Sequence, residues 1–373
     1  MILVVAFIAI ILLSLATCKK KEAKEVKIGI VAPITGEAAA FGISTKKGAI
    51  LYFDAINESG GIDGMMIKYI VEDDRGDPGE GANAYSKLID QDKVSVICGT
   101  VMSKVCLAVA PIAQSKGVPM VSPTSTNPAV TLVGDYIFRA CFIDPFQGFV
   151  SARYAIDAVG ARTAAALYDA GNDYTRGLAE VFRAEFSGQG GKMAAFESYA
   201  TGTTDFNAQL VKIKKVNPDV LFLPNYYNDS ALIARQAREM GITAQLLGSD
   251  GWDSPDLIKI AGDSINGGLF VNHFTPESDL PAAQKFVRDY EARFGQKPDA
   301  PGALAYEAAM IIVEAIKNAG STDSRAIRDA LAATDMETIT GNIKYDENRN
   351  PVKSAVILEI KEGKIFYRTS INP

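Results

Sequence analysis

From Glu25 onward, short apolar runs alternate with longer stretches in which apolar residues recur every three to four positions. Residues 26–32 (VKIGIVA) read as a buried strand, and 44–58 as a helix whose apolar face is Ala49, Tyr52, Phe53 and Ile56, at i, i+3, i+4 and i+7. The alternation predicts further strands at 67–72, 94–98, 119–122 and 137–140, with helices at 79–91 and 103–116 between them. A second series follows, with strands at 163–168, 192–199, 220–223, 245–248 and 268–272. Its helices fall at 145–159, 174–187, 205–216, 229–240 and 255–261. Two successive βαβ series of similar size predict an α/β protein with two parallel-sheet lobes. After residue 272 the order changes to helices at 281–294, 303–319 and 325–333, then short strands at 342–345, 355–360 and 364–368. Three consecutive helices cannot extend a βαβ lobe by themselves. They must pack on an existing sheet, and if that sheet is the first, the chain crosses between lobes more than once.

The N-terminus has a different pattern. Residues 1–17 contain no charge and 2–13 are an uninterrupted apolar run, so the segment must enter a membrane at least transiently. A spanning helix needs about 20 apolar residues, whereas this run gives way to Ser14, Thr17, Cys18 and three lysines. Residues 1–17 therefore read as a secretory signal. Leu15-Ala16-Thr17-Cys18 resembles a lipobox, which makes Cys18 the expected lipidation site and 18–25 a lipid-anchored linker. Thr17 and the lack of basic residues ahead of the run depart from that pattern, so a plain secretory signal and an uncleaved anchor are the competing readings.

Length and composition bound the rest. At about 100 to 200 residues per domain, 373 residues make two or three compact units, and 48% hydrophobic with 22% charged is a globular composition. A net charge of −6 with no basic stripe argues against a nucleic-acid partner. His273 is the only histidine, so a zinc-protease motif, a Ser-His-Asp arrangement or a His-based metal cluster would have to use it; it reads instead as a structural residue at a strand end. Neither a P-loop nor a nucleophile elbow occurs, and Asp73-Asp74-Arg75-Gly76-Asp77 lacks the spacing of a calcium loop. Cys98, Cys106 and Cys141 read as small buried apolar residues with at most one disulfide among them. The expectation is no enzyme, no metal and no cofactor.

In open α/β sheets, ligands sit beyond the carboxyl ends of the strands. Those positions in the first series carry Ser103 at a helix start and the run Thr124-Ser125-Thr126, hydroxyls suited to an anion because they donate hydrogen bonds without bringing a countercharge. The second series offers Asp169, Asn172, Asp173 and Tyr174, then Asn225 to Asn228 with Tyr226, then Ser249, Asp250, Gly251 and Trp252. A ligand bridging donors on one lobe and an acid with aromatics on the other would carry a carboxylate, a nearby ammonium and an apolar remainder, which describes a free amino acid. Such residues are also ordinary turn and cap residues; only their concentration at strand ends carries the inference.

These loops, in this order, resemble the leucine/isoleucine/valine-binding family of solute receptors that serve ATP-binding cassette importers. The most specific stretches are IGIVAPITGEAAAFG (28–42), GGIDG (60–64), VEDDRGDP (71–78), VPMVSPTSTNP (118–128), ARQARE (234–239) and LLGSDGW (246–252). The resemblance implies a type I periplasmic binding protein fold, two Rossmann-like lobes joined by a three-segment hinge. With it go expected boundaries of 26–142 plus 273–345 for lobe one and 143–272 plus 346–373 for lobe two. By the same resemblance, the ligand carboxylate is held by Ser103 and by Thr124, Ser125 and Thr126. The ammonium is shared between Thr126 and Asp250, with Phe41, Tyr174 and Tyr226 as aromatic neighbours. Asp250 is shorter than the glutamate of leucine-binding members, and Arg75 and Met102 occupy the positions of a disulfide seen in them. The implied function is extracytoplasmic capture of an apolar, branched-chain type amino acid for a membrane permease, by a monomer in the periplasm or at the cell surface. An amine-free ligand (an aromatic or 2-oxo acid, an amide or urea) and a sensor role are the alternatives within the family.

Overall fold

The computed structural model describes residues 25–373, so the expected signal at 1–17 and Cys18 lie outside the described residues. Five strands, β1 (Glu25–Ala32), β2 (Met66–Asp73), β3 (Val96–Cys98), β4 (Met120–Ser122) and β5 (Ile137–Arg139), form a first, wholly parallel sheet in the order β2-β1-β3-β4-β5. The next five are β6 (Thr163–Asp169), β7 (Lys192–Tyr199), β8 (Val220–Leu223), β9 (Gln245–Gly248) and β10 (Leu269–Asn272), and they repeat that order as β7-β6-β8-β9-β10, again all parallel. Their near-continuous apolar sequences fit strands covered by helices on both faces. Both lobes thus present the carboxyl ends of their strands, and the order reversal beside β1 or β6, where an open α/β sheet binds ligands.

The three consecutive helices return to the first lobe. Ala300–Ala319 buries Ala305, Ile312 and Ile316 in one core with Ile28 and Ile30 of β1 and Phe53 of the helix Ala39–Glu58. The two helices approach closely enough that a Cβ on Gly48 would lie 1.9 Å from the carbonyl oxygen of Gly302. After a small antiparallel ribbon of β11 (Asp335–Thr338) and β12 (Gly341–Lys344), the chain passes to the second lobe, where β13 (Ala355–Lys361) and β14 (Lys364–Ile371) add antiparallel to β10. The backbone therefore crosses between sheets three times: after β5, after β10 and after β12.

Several elements differ from their sequence reading. The first helix begins at Ala39 rather than 44, because the start lies in a run of small residues with no apolar period; Gly42 is there since a Cβ would lie 1.9 Å from the carbonyl oxygen of Pro33. The helix expected at 79–91 is an α-helix over Pro78–Ser86, capped by the Asp77 side chain, that widens into a π-helical turn over Lys87–Asp92. Strand β11 is absent from the sequence reading: DMET has a single apolar residue, Met336, too little to show an alternation. Among the described residues the cysteines Cys98, Cys106 and Cys141 are all buried and free, so they pack as small apolar residues without a disulfide.

Candidate functional site

Between the lobes lies a small pocket lined from both sheets' strand ends, where open α/β sheets gather their ligand-binding loops. On the first lobe, the loop after β3 leads into the helix Ser103–Lys116, whose N-terminal end with its positive dipole opens at Ser103. Ser125 Oγ donates to Ser103 Oγ at 3.0 Å, which leaves the Ser103 hydroxyl proton free to donate onward. Thr124 Oγ1 donates to the Val101 carbonyl at 3.0 Å, fixing the two loops against each other. Thr126 is 1% exposed and its Oγ1 has no partner in the protein, although it lines the pocket. A buried hydroxyl costs free energy unless something bonds it, so Thr126 is a polar group waiting on the pocket side.

The second lobe supplies the opposite pole. Asp250 follows β9 in a tight 3₁₀ turn over Asp250–Trp252. Tyr174 OH donates to its Oδ1 at 2.5 Å, His273 Nε2 lies 3.1 Å from its Oδ2, and its amide donates to Gln147 Oε1 at 2.9 Å. Tyr174 stacks on Tyr226 with ring centroids 5.1 Å apart, and burial, followed by the Asp250 charge, pushes both phenols well above their ordinary range. Both are therefore hydrogen-bond donors at neutral pH. Burial also pushes the His273 imidazole down, with the neighbouring Asp250 carboxylate opposing; its ring stacks on Phe142 at 3.6 Å.

Apolar walls complete the pocket: Phe41 and Val101 from one side, and Ala300, Pro301 and Leu304 from the first turns of the helix Ala300–Ala319. The lobes touch across the opening. Tyr227 OH and Asn228 Nδ2 each donate to the Glu37 carbonyl at 2.7 Å, Asn127 Nδ2 donates to the Asp173 carbonyl at 3.2 Å, and Phe41 meets Tyr227 edge-on at 4.9 Å. Excluding water in this way strengthens each polar contact inside, because the local dielectric falls.

Of the residues expected from sequence, Phe41, Ser103, Thr124, Thr126, Tyr174, Tyr226 and Asp250 all line this one pocket. Ser125 does not; it stands behind Ser103 and orients its hydroxyl. His273, expected as a structural strand end, directly follows β10 but also lines the pocket and bonds Asp250. The strand-end rule that found Asp250 would have found it too. Ala300, Pro301 and Leu304 carried no signal, since they are ordinary helix residues brought in by the return of the chain to lobe one. Among the described residues, no cluster of three or more His, Cys, Asp or Glu is placed to hold a metal ion.

The family model described as periplasmic binding protein matches residues 25–364. A leucine-, isoleucine-, valine-, threonine- and alanine-binding protein of Pseudomonas aeruginosa is 31% identical over 327 residues, 87% of each chain. Among solved structures, a leucine-binding protein, LivK, of Thermotoga maritima superimposes with a TM-score of 0.89 at 38% identity, covering 93% of this chain and 99% of that one. The branched-chain amino acid transporter substrate-binding protein LivJ of Streptococcus pneumoniae, in complex with isoleucine, has a TM-score of 0.89 at 32% identity, covering 94% and 100%.

Proposed function

The chain belongs to the periplasmic binding protein family, and we propose that it is the extracytoplasmic receptor of an ATP-binding cassette importer for a free amino acid with a branched or similar apolar side chain. One observation carries this: a hydroxyl-rich helix N-terminus, a buried carboxylate and an apolar wall line one pocket between the lobes. The relatives named for leucine, isoleucine and valine support the same ligand class.

In this reading Ser103, backed by Ser125, donates to the ligand carboxylate together with the amides of its helix, and Thr124 holds that loop in place. Asp250 and Thr126 take the ammonium, Tyr174 orients the Asp250 carboxylate, and Tyr226 and Phe41 cover the headgroup. The side chain lies against Val101, Ala300, Pro301 and Leu304. The ligand's binding energy goes into holding the lobes together, because only a ligand that touches both favours the closed arrangement. Lobe one comprises 26–142 with 273–345, and lobe two 143–272 with 346–373, the three crossings serving as hinge. A membrane permease reads the closed shape, Cys18 carries the lipid that keeps the receptor at the membrane, and the protein works as a monomer. Solute receptors of this family are not an enzyme class, and no reaction is assigned to this pocket.

The deciding experiment is a thermal-shift screen of the refolded chain, started at Cys18, against the twenty amino acids, their 2-oxo acids, simple amides and aromatic acids. A ligand at 100 times its Kd adds about 2.7 kcal/mol, which moves the midpoint by a few degrees at this size. Leucine, isoleucine or valine should shift it and their 2-oxo acids should not. Shifts confined to amine-free acids would keep the receptor fold and overturn the role of Asp250.

A further inference from the structure

We propose that Asp144 is a positioning residue for the ligand's ammonium group, acting through Thr126, and that it releases its proton as that group binds; the inference rests on the amino-acid reading above. Asp144 opens the helix Asp144–Asp157 immediately after the first crossing and is 2% exposed. Neither of its carboxyl oxygens has a hydrogen-bond partner in the protein. Its amide donates to the Thr126 carbonyl at 3.0 Å, so the residue stands next to Thr126, a pocket-lining residue whose own buried hydroxyl is likewise unpartnered. One turn along the same helix, Gln147 spends its Oε1 on the Asp250 amide and leaves its Nε2 without a partner. A buried acid without a hydrogen-bond partner thus stands next to a pocket-lining threonine, and its charge is coupled to that of Asp250.

The charges around Asp144 decide its ionisation. The acidic groups whose charges couple to it are Asp250, the phenols of Tyr174 and Tyr226 and the buried thiol of Cys141. Arg139 is the nearby cation and opposes the rise; two of its nitrogens bond the carbonyls of Ser125 and Asn127 at 2.5 and 2.8 Å, and its Nε has no partner. Lys353 faces Cys141 and His273 and is paired with Glu307. Burial, with Asp250 adding to it, pushes the Asp144 carboxyl up to about 8. Asp144 is therefore mainly a neutral acid at pH 7, while Asp250 has both oxygens bonded, by Tyr174 and His273.

An ammonium entering between Asp250 and Thr126 changes this balance. It donates to Thr126 Oγ1, and the Thr126 hydroxyl turns its own proton toward Asp144. Asp144 then ionises, its proton leaves to solvent, and the buried positive charge faces two carboxylates in place of one. An amine-free acid brings no positive charge and leaves Asp144 protonated, so the residue selects for the amino group. Release of a proton on binding makes affinity rise with pH up to about 8, by roughly tenfold per pH unit where Asp144 starts fully protonated.

The test is calorimetric titration of the chain from Cys18 with leucine, isoleucine and valine at pH 7, in phosphate and in Tris, whose different ionisation heats report the protons exchanged. The expected result is nearly one proton released per ligand, and a Kd about tenfold tighter at pH 7 than at pH 6. Asp144→Asn should abolish both effects, whereas His273→Gln should keep the proton count, which separates Asp144 from the imidazole beside Asp250. Binding of an amino acid with no proton exchange and a flat pH profile overturns the proposal, and the wild-type count decides this even if Asp144→Asn fails to fold. If no amino acid binds and an amine-free acid does, the amino-acid reading fails and takes this inference with it, a different outcome from amino-acid binding without proton release.

Discussion

In the proposed headgroup site, Asp250 is the residue whose loss should matter most. Tyr174, His273 and Gln147 hold its carboxylate and backbone in place, and removing one member of a buried charged pair leaves the other charge without compensation. Asp250→Ala should therefore weaken leucine binding by about 2–5 kcal/mol, measured by calorimetric titration. Ser103→Ala removes only one hydroxyl from a pole that also has helix amides, so the same titration should show a loss of about 0.5–1.5 kcal/mol. At this scale much was legible: Ser103, the Thr124 to Thr126 run and Asp250 follow strands whose apolar runs are unmistakable, and strand ends converge in an α/β sheet. What was not legible is which neighbour each side chain meets. Ser125 and Thr126 are adjacent hydroxyls in one loop, yet one faces Ser103 and the other the pocket, a difference set by backbone direction and not by residue type.

The helices and strands follow their apolar periods closely where those periods are long, and diverge where close backbone contact replaces them. Gly48 illustrates this. It sits mid-helix, a position where glycine is usually unfavourable by about 1 kcal/mol relative to alanine, because the helix Ala39–Glu58 must come within backbone contact of Gly302. Gly48→Val should force these helices apart and destabilise the protein by about 1–3 kcal/mol, seen as a lower urea midpoint with an unchanged slope. The same contact fixes where Ala300, Pro301 and Leu304 stand, so the variant should also weaken leucine binding. Strand β11 escaped the sequence reading for a different reason. It is a short two-stranded ribbon held by its partner β12, with Met336 and Ile343 on the core, and four residues with a single apolar one among them leave no alternation to read.

Across the whole molecule, the crossings are tied by a buried ion pair. Lys353, in the segment after β12, lies 2.7 Å from Glu307 of the helix Ala300–Ala319 and donates to the carbonyl of Ala140, at the first crossing, at 2.8 Å. Both side chains are almost fully buried, so breaking the pair leaves a charge in the interior. Lys353→Met should cost about 3–5 kcal/mol of stability, and adding Glu307→Leu should recover much of that, read by chemical denaturation. Stability should also depend on pH. Burial raises the Asp144 carboxyl from 3.8 to about 8, so the folded chain without ligand holds a proton that the unfolded chain has lost, and stability falls as pH rises through that interval. Burial of His273 acts in the opposite sense, but only below its ordinary value of 6.5. Between pH 7 and 8, above the value of about 7 to which burial raises Asp299, the denaturation midpoint measured without ligand should therefore decline, and Asp144→Asn should flatten the decline.

The amino-acid sequence by itself determined the two βαβ series, the strand ends on which Ser103, Thr126, Tyr174, Tyr226 and Asp250 stand, and the chemistry of a donor pole and an acid pole. These are local properties: apolar period sets the element, and an open sheet gathers its loops at one edge. Only the tertiary structure decided that the helix Ala300–Ala319 returns to lobe one and walls the pocket, that His273 meets Asp250, and that Asp144 stands next to Thr126 without a partner. The return of that helix depends on the chain crossing between the lobes, which brings together residues more than a hundred positions apart, such as Phe41 and Leu304, while the other two depend on which loops of neighbouring elements meet, and no periodicity records either.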